Sequence, residues 1–127
     1  MILITGGAYE GKKEYAVRRF GFSDSEITDG KNASETEILN AVCIADYHEF
    51  VRRTENPEKF TERLVRENSS AVVIMNETGC GIVPLDKGER IWREQTGRCG
   101  CIIAAASDEV IRVFCGIPAV VKSVKEI

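Results

Sequence analysis

Aromatic side chains are scarce in this chain, and neither sign of charge dominates. Phe, Trp and Tyr make up 7% of the 127 residues, too few for the stacking platforms that hold single-stranded nucleic acid. Lys and Arg number 17 against 20 Asp and Glu, a formal net charge of −3. Nothing global draws such a chain to nucleic acid or to an anionic membrane surface. Long apolar runs are missing too. The longest, Cys101 to Ala106, falls far short of the roughly 20 residues a membrane-spanning helix needs. Met1 to Thr5 shows neither a basic leader nor a cleavage site, so no secretory signal is expected. The cysteines, Cys43, Cys80, Cys99, Cys101 and Cys115, are odd in number and lack the paired spacing of a zinc site. Reduced thiols in a cytoplasmic protein are the expectation.

What remains is an ordinary globular composition, 43% hydrophobic and 29% charged. A chain of this length forms one domain, here 1–127, and buries roughly two-thirds of its unfolded surface without metal or disulfides. Ile2-Leu3-Ile4-Thr5 reads as a strand, Gly6-Gly7 as a turn, and Tyr15, Ala16, Arg19 and Phe20 as one face of a helix that Gly21 stops. Residues 22–37 are polar and rich in turn formers, which predicts a loop with one short edge strand near Glu26–Thr28. Ala41–Ala45 and Ala71–Met75 are continuous apolar runs, the signature of strands buried on both faces. Helices are expected over Tyr47–Thr54, from Pro57 onward with Phe60, Leu64 and Val65 inward, and after Asp86, which forms a capping box with Glu89. Val110–Cys115 is the last strand, followed by an extended Ala119–Val121. Cys43 and Cys115 read as core. Strands alternating with helices predict an α/β, P-loop NTPase-like three-layer domain with a mostly parallel central sheet.

The chemistry-bearing residues follow the strands. Gly6-Gly7-Ala8-Tyr9-Glu10-Gly11-Lys12-Lys13 fits the G-x-x-x-x-G-K-[S/T] loop at every position but the last. Such a turn wraps phosphates with backbone N–H groups, adds the helix N-terminus, and sends its lysine to the outer phosphates. Lys13 stands where a hydroxyl would hold Mg²⁺. Asp46 ends the second buried strand and Glu77 the third, and ligands of open parallel sheets sit at such carboxyl ends. Both are therefore candidates for Mg²⁺ or for catalysis, alongside the plainer roles of a helix cap or solvated acid for Asp46 and of a tight structural turn for the Glu77 segment. Arg98 is placed to reach a phosphate from the long helix, or to lie on its surface. His48, the only histidine, has no identifiable partner in sequence and reads as a bystander.

Several of these stretches together resemble one family. Ile2–Ala8 with Gly11-Lys12 is similar to the opening of the bifunctional adenosylcobinamide kinase / adenosylcobinamide-phosphate guanylyltransferases. Asn76-Glu77-x-Gly79-x-Gly81-Ile82-Val83-Pro84 is similar to their most distinctive motif. Gly97-Arg98, Asp108-Glu109-Val110 and Gly116-Ile117-Pro118 with Lys122 follow in order. The resemblance implies a homo-oligomer acting late in cobalamin assembly. It would take ATP or GTP with Mg²⁺ and a corrinoid, adenosylcobinamide-like substrate. Gly6, Gly7, Ala8, Tyr9, Glu10, Gly11, Lys12, Lys13 and Arg98 would bind nucleotide, and Lys12, Asp46 and Glu77 would serve catalysis. The polar loop at 22–37 replaces a longer family segment, and with it the histidine that accepts GMP. Kinase-like phosphoryl transfer is thus the expected activity, without firm expectation of the guanylyl step. The alternative is a catalytically degraded module that only binds a nucleotide or corrinoid.

Overall fold

The computed structural model describes residues 1–77 and 86–124. The expected glycine loop at Gly79, Cys80 and Gly81, and the rest of that motif through Pro84, lie outside the described residues. The described chain runs β1 (Ile2–Gly6), α1 (Lys12–Phe20), β2 (Ile27–Asp29), α2 (Glu35–Leu39), β3 (Cys43–Ala45), α3 (Tyr47–Arg53), α4 (Pro57–Glu67), β4 (Val72–Asn76), α5 (Lys87–Ala106), β5 (Glu109–Phe114) and β6 (Ile117–Ser123). One six-stranded sheet has the order β2-β3-β4-β1-β5-β6. Its first five strands are parallel and β6 returns antiparallel to β5.

Alternation along the strands builds the layers. Leu3, Ile44, Val73 and Val110 point to a core shared with Tyr47, Phe50, Phe60, Leu64, Cys99 and Ile103, the inner faces of α3, α4 and α5. Ile4, Cys43, Val72, Ile74 and Ile111 point the other way, to a smaller core under Ala16 of α1. This is the expected three-layer α/β arrangement, a P-loop NTPase-like fold. Each fully buried Leu or Ile contributes on the order of 1.5–3 kcal/mol, so continuous apolar strands fix the sheet.

The helices start where the sequence offers caps. Asn56 accepts from the Lys59 N–H ahead of Pro57, and Asp86 accepts from the Gly88 and Glu89 N–H groups. The second half of the expected Asp86–Glu89 box is absent from this geometry. The Glu89 carboxylate instead receives both Arg52 nitrogens, at 2.6 and 3.1 Å, because an interhelical bidentate pair is open to it.

Two expectations need correction. Residues 22–37 are not simply a loop with one edge strand. Besides β2 they hold a 3-10 turn at Asp24–Glu26 and the start of α2, capped reciprocally by Ser34 and Glu37. Cys115 is not core. It sits exposed in the β5–β6 turn at φ 50, because the strand ends at Phe114 and the chain reverses there.

Candidate functional site

All five parallel strands bring their carboxyl ends to one edge of the sheet, and a cleft of about 750 Å³ opens there. Its wall is drawn in turn from the carboxyl ends of β2, β3, β4 and β1 and the segments that follow them: Lys31, then Asp46 and His48, then Asn76, then Ala8 to Lys13. This follows from topology, since crossover helices leave that edge to the loops.

The turn after β1 is built for close backbone approach. Gly6 has φ 151 and Gly11 φ 89, conformations that L side chains avoid. A Cβ at Gly6 would also collide with the Val113 carbonyl oxygen. Tyr9 sits at the apex with φ 61, fully exposed. Two neighbours brace the turn. The Glu77 N–H donates to Gly6 O at 2.8 Å, and the Gly116 N–H to Glu10 O at 2.9 Å. The Cys115 N–H donates to the Glu10 carboxylate. Glu10 is thereby an anchor between the turn and the β5–β6 hairpin.

Lys12 is 7% exposed, and its ammonium donates to Gly7 O at 2.6 Å inside its own turn. Burial lowers its pKa, opposed by the charges of Asp46, Glu10, Glu14 and Glu77. Lys13 is exposed on the cleft wall. Asp46 occupies the N-cap position of α3 at φ 53, ψ 46 without a side-chain cap bond, a left-handed conformation that costs a non-glycine residue about 1 kcal/mol or more. Its carboxylate approaches the Lys31 ammonium at 3.8 Å and His48 Nε2 at 3.9 Å.

His48 is no surface bystander. Its ring is buried, and Nδ1 accepts the Asn76 N–H at 3.0 Å. The neutral ring therefore carries its proton on Nε2, the atom facing Asp46 and Glu49. Burial is the main cause that lowers its pKa, with Asp46 and Glu49 opposing and Lys12 and Lys31 assisting. Its carbonyl accepts from Trp92 Nε1 at 2.9 Å, and Arg52 stacks over that indole at 3.7 Å.

Two expected site residues lie elsewhere. Glu77 holds Arg112 of β5 through both oxygens, at 2.8 and 3.2 Å. Arg98 pairs with Glu58 of α4 at 3.1 Å and Glu94 at 3.8 Å, 62% exposed, and does not line the cleft. Its helix position turns it toward α4 rather than the loops. Sequence reasoning passed over Lys31 and set His48 aside, yet both line the cleft. The available signal for Lys31 was Asp29-Gly30 directly after a short strand, a turn at the ligand-binding edge. Among the described residues, no three His, Cys, Asp or Glu side chains gather to hold a metal ion. No helix among them is long and apolar enough to cross a membrane.

A parallel sheet whose first strand turns through glycines into a helix, beside an acidic strand end, defines a P-loop NTPase-like α/β protein. The chain belongs to the cobinamide kinase / cobinamide phosphate guanyltransferase family, whose model matches residues 34–121. The match includes Asp46, His48, Glu77 and Arg98 and begins after the glycine turn. No curated protein matches the chain. The family places it in cobalamin biosynthesis, among transferases that use nucleotides.

Proposed function

We propose that this chain binds a nucleoside triphosphate in the cleft and transfers its terminal phosphoryl group to the hydroxyl of an adenosylcobinamide-like corrinoid. The observation that carries this reading is the state of Lys12: a buried ammonium held inside a glycine turn by one carbonyl. Phosphate oxygens offer that ammonium stronger, charge-assisted partners than Gly7 O does. Backbone N–H groups of residues 7–12 and the N-terminus of α1 add to the cradle. The corrinoid oxygen attacks the terminal phosphorus, the nucleoside diphosphate leaves, and Asp46 accepts the hydroxyl proton. Positioning and charge neutralisation do most of this work.

Mg²⁺ ordinarily takes one or two carboxylates together with phosphates and water. The half-exposed Asp46 carboxylate would meet that requirement through the ion's water shell, which leaves it basic enough for the hydroxyl proton, and the ion would neutralise charge on the phosphates. Glu77, engaged by Arg112, fits as a nearby negative charge rather than a ligand. Either ATP or GTP is admitted by this chemistry.

Lys12→Ala should weaken triphosphate binding at least tenfold by titration calorimetry, a loss of about 1.4 kcal/mol or more. Unchanged affinity rejects the site. Incubation with adenosylcobinamide, Mg²⁺ and ATP or GTP should yield the phosphorylated corrinoid by mass spectrometry. A second reading, a binding module without turnover, is favoured by Lys13, which cannot ligate a cation. Tight nucleotide binding with no product would establish it.

A further inference from the structure

Lys31 lines the cleft with its backbone clamped and its side chain loose. The Gly30 N–H donates to Ala45 O at 2.7 Å, and a Cβ at Gly30 would collide with the Asp46 carbonyl oxygen. Arg53 donates to Gly30 O at 3.2 and 2.7 Å and to Ala33 O at 2.6 Å. The Asp29 carboxylate accepts from the Lys31 N–H at 2.9 Å and from Asn32 at 3.2 Å. The turn is thus locked to the β3–α3 junction, and only a glycine permits so close an approach. The Lys31 side chain, by contrast, is 59% exposed, and its ammonium stands 3.8 Å from Asp46. That is beyond hydrogen-bond length, so Asp46 is a weak resting partner.

Position gives this looseness a purpose. Lys12 follows β1 and Lys31 follows β2, with β3 and β4 between them in the sheet. Three strand spacings separate the two turns, roughly 14 Å. Both lysines line the same cleft as Asp46 and His48, so both charges border the space between the two turns. A phosphate chain seated on the β1 turn and lying across the ends of β4 and β3 points its far end toward Lys31. We propose that Lys31 is a second phosphate-gripping residue, which leaves Asp46 for the terminal phosphate and so discriminates a triphosphate from a diphosphate. The same movement releases the Asp46 carboxylate to the cleft. This inference rests on the nucleotide reading given above.

The test is calorimetric binding of a nucleoside triphosphate and the matching diphosphate, at fixed ionic strength, to the full chain and to Lys31→Ala and Lys31→Arg. Lys31→Ala should weaken triphosphate binding roughly tenfold and leave diphosphate binding unchanged. Lys31→Arg should keep most of the difference, because it keeps the charge. Equal weakening of both nucleotides would mean a diffuse field effect and overturn the assignment, as would no weakening of either. If the unaltered chain binds neither nucleotide, the nucleotide reading itself fails and takes this one with it. Lys31 is exposed, so the variants should fold, and matching thermal unfolding would verify this.

Discussion

Asp46 and His48 stand two residues apart on the rim of one cleft, yet the fold treats them oppositely. Asp46 keeps 40% of its side chain in solvent, and His48 keeps 6%. The buried ring is also committed at Nδ1, which accepts the Asn76 N–H. Protonation would turn Nδ1 into a donor facing a donor. Burial and this geometry agree with the lowered pKa, which Asp46 and Glu49 oppose and Lys12 and Lys31 assist. The sign of the pH effect follows. The unfolded ring titrates near the ordinary value of about 6.5, and the folded ring below it. As pH falls past about 6.5 the unfolded chain takes up the proton first, so stability is full above that pH and declines below it toward the folded pKa. Denaturant midpoints from pH 7.5 to 5 should show this decline, and His48→Asn should flatten part of it. An identical slope in the variant would remove His48 as its source. Sequence alone could not show any of this, because the partner of His48 is a backbone N–H far along the chain.

At the scale of elements, apolar continuity and caps made most of the fold legible. Ala71–Met75 could hardly be anything but a buried strand, and Pro57 after Asn56 marks a helix start. Short elements were less legible. β2 and α2 are three and five residues long, too short for a period to declare itself, and tertiary contacts hold them: Gly30 against Ala45, Arg53 across the turn. Arg98 shows a different limit, since helical spacing tells which face a residue occupies and not which neighbour meets it. One contact between elements is open to measurement. Tyr47 of α3 and Thr61 of α4 are fully buried, their oxygens 2.6 Å apart, and Thr61 donates onward to Pro57 O at 2.7 Å. Tyr47 is therefore the donor to Thr61, and burial raises its pKa well beyond the usual phenol range. Tyr47→Phe removes the donor but leaves Thr61 bonded to Pro57. The expected loss is about 1 kcal/mol, read from chemical denaturation. A loss above roughly 3 kcal/mol would mean the ring itself had repacked.

At the scale of the whole molecule, the sheet ends on opposite terms at its two edges. β2 is short, and Asp29 and Lys31 with the polar turn beyond it discourage further pairing. β6 is seven residues long, and every residue but Lys122 is exposed. Ile117, Val120 and Val121 stand in solvent, and Phe114, the cross-strand partner of Ile117, adds to them. Lys122, the only charge on the strand, is turned onto the Ala104 and Ala105 carbonyls at the end of α5, at 3.0 and 3.1 Å. That contact suits the helix C-terminus, and it takes away the charge that would otherwise guard the edge. An apolar strip of this kind on the last strand of the described sheet is the sort of surface that favours self-association. The homo-oligomer implied by the sequence resemblance would then use β6, and the chain should sediment above monomer mass at micromolar concentration. Val120→Lys restores an edge charge on an already exposed position, so it should shift the protein toward monomer while changing stability by less than about 0.5 kcal/mol. A wild-type chain that stays monomeric at every concentration, or an assembly indifferent to Val120→Lys, would place the strip outside any such contact.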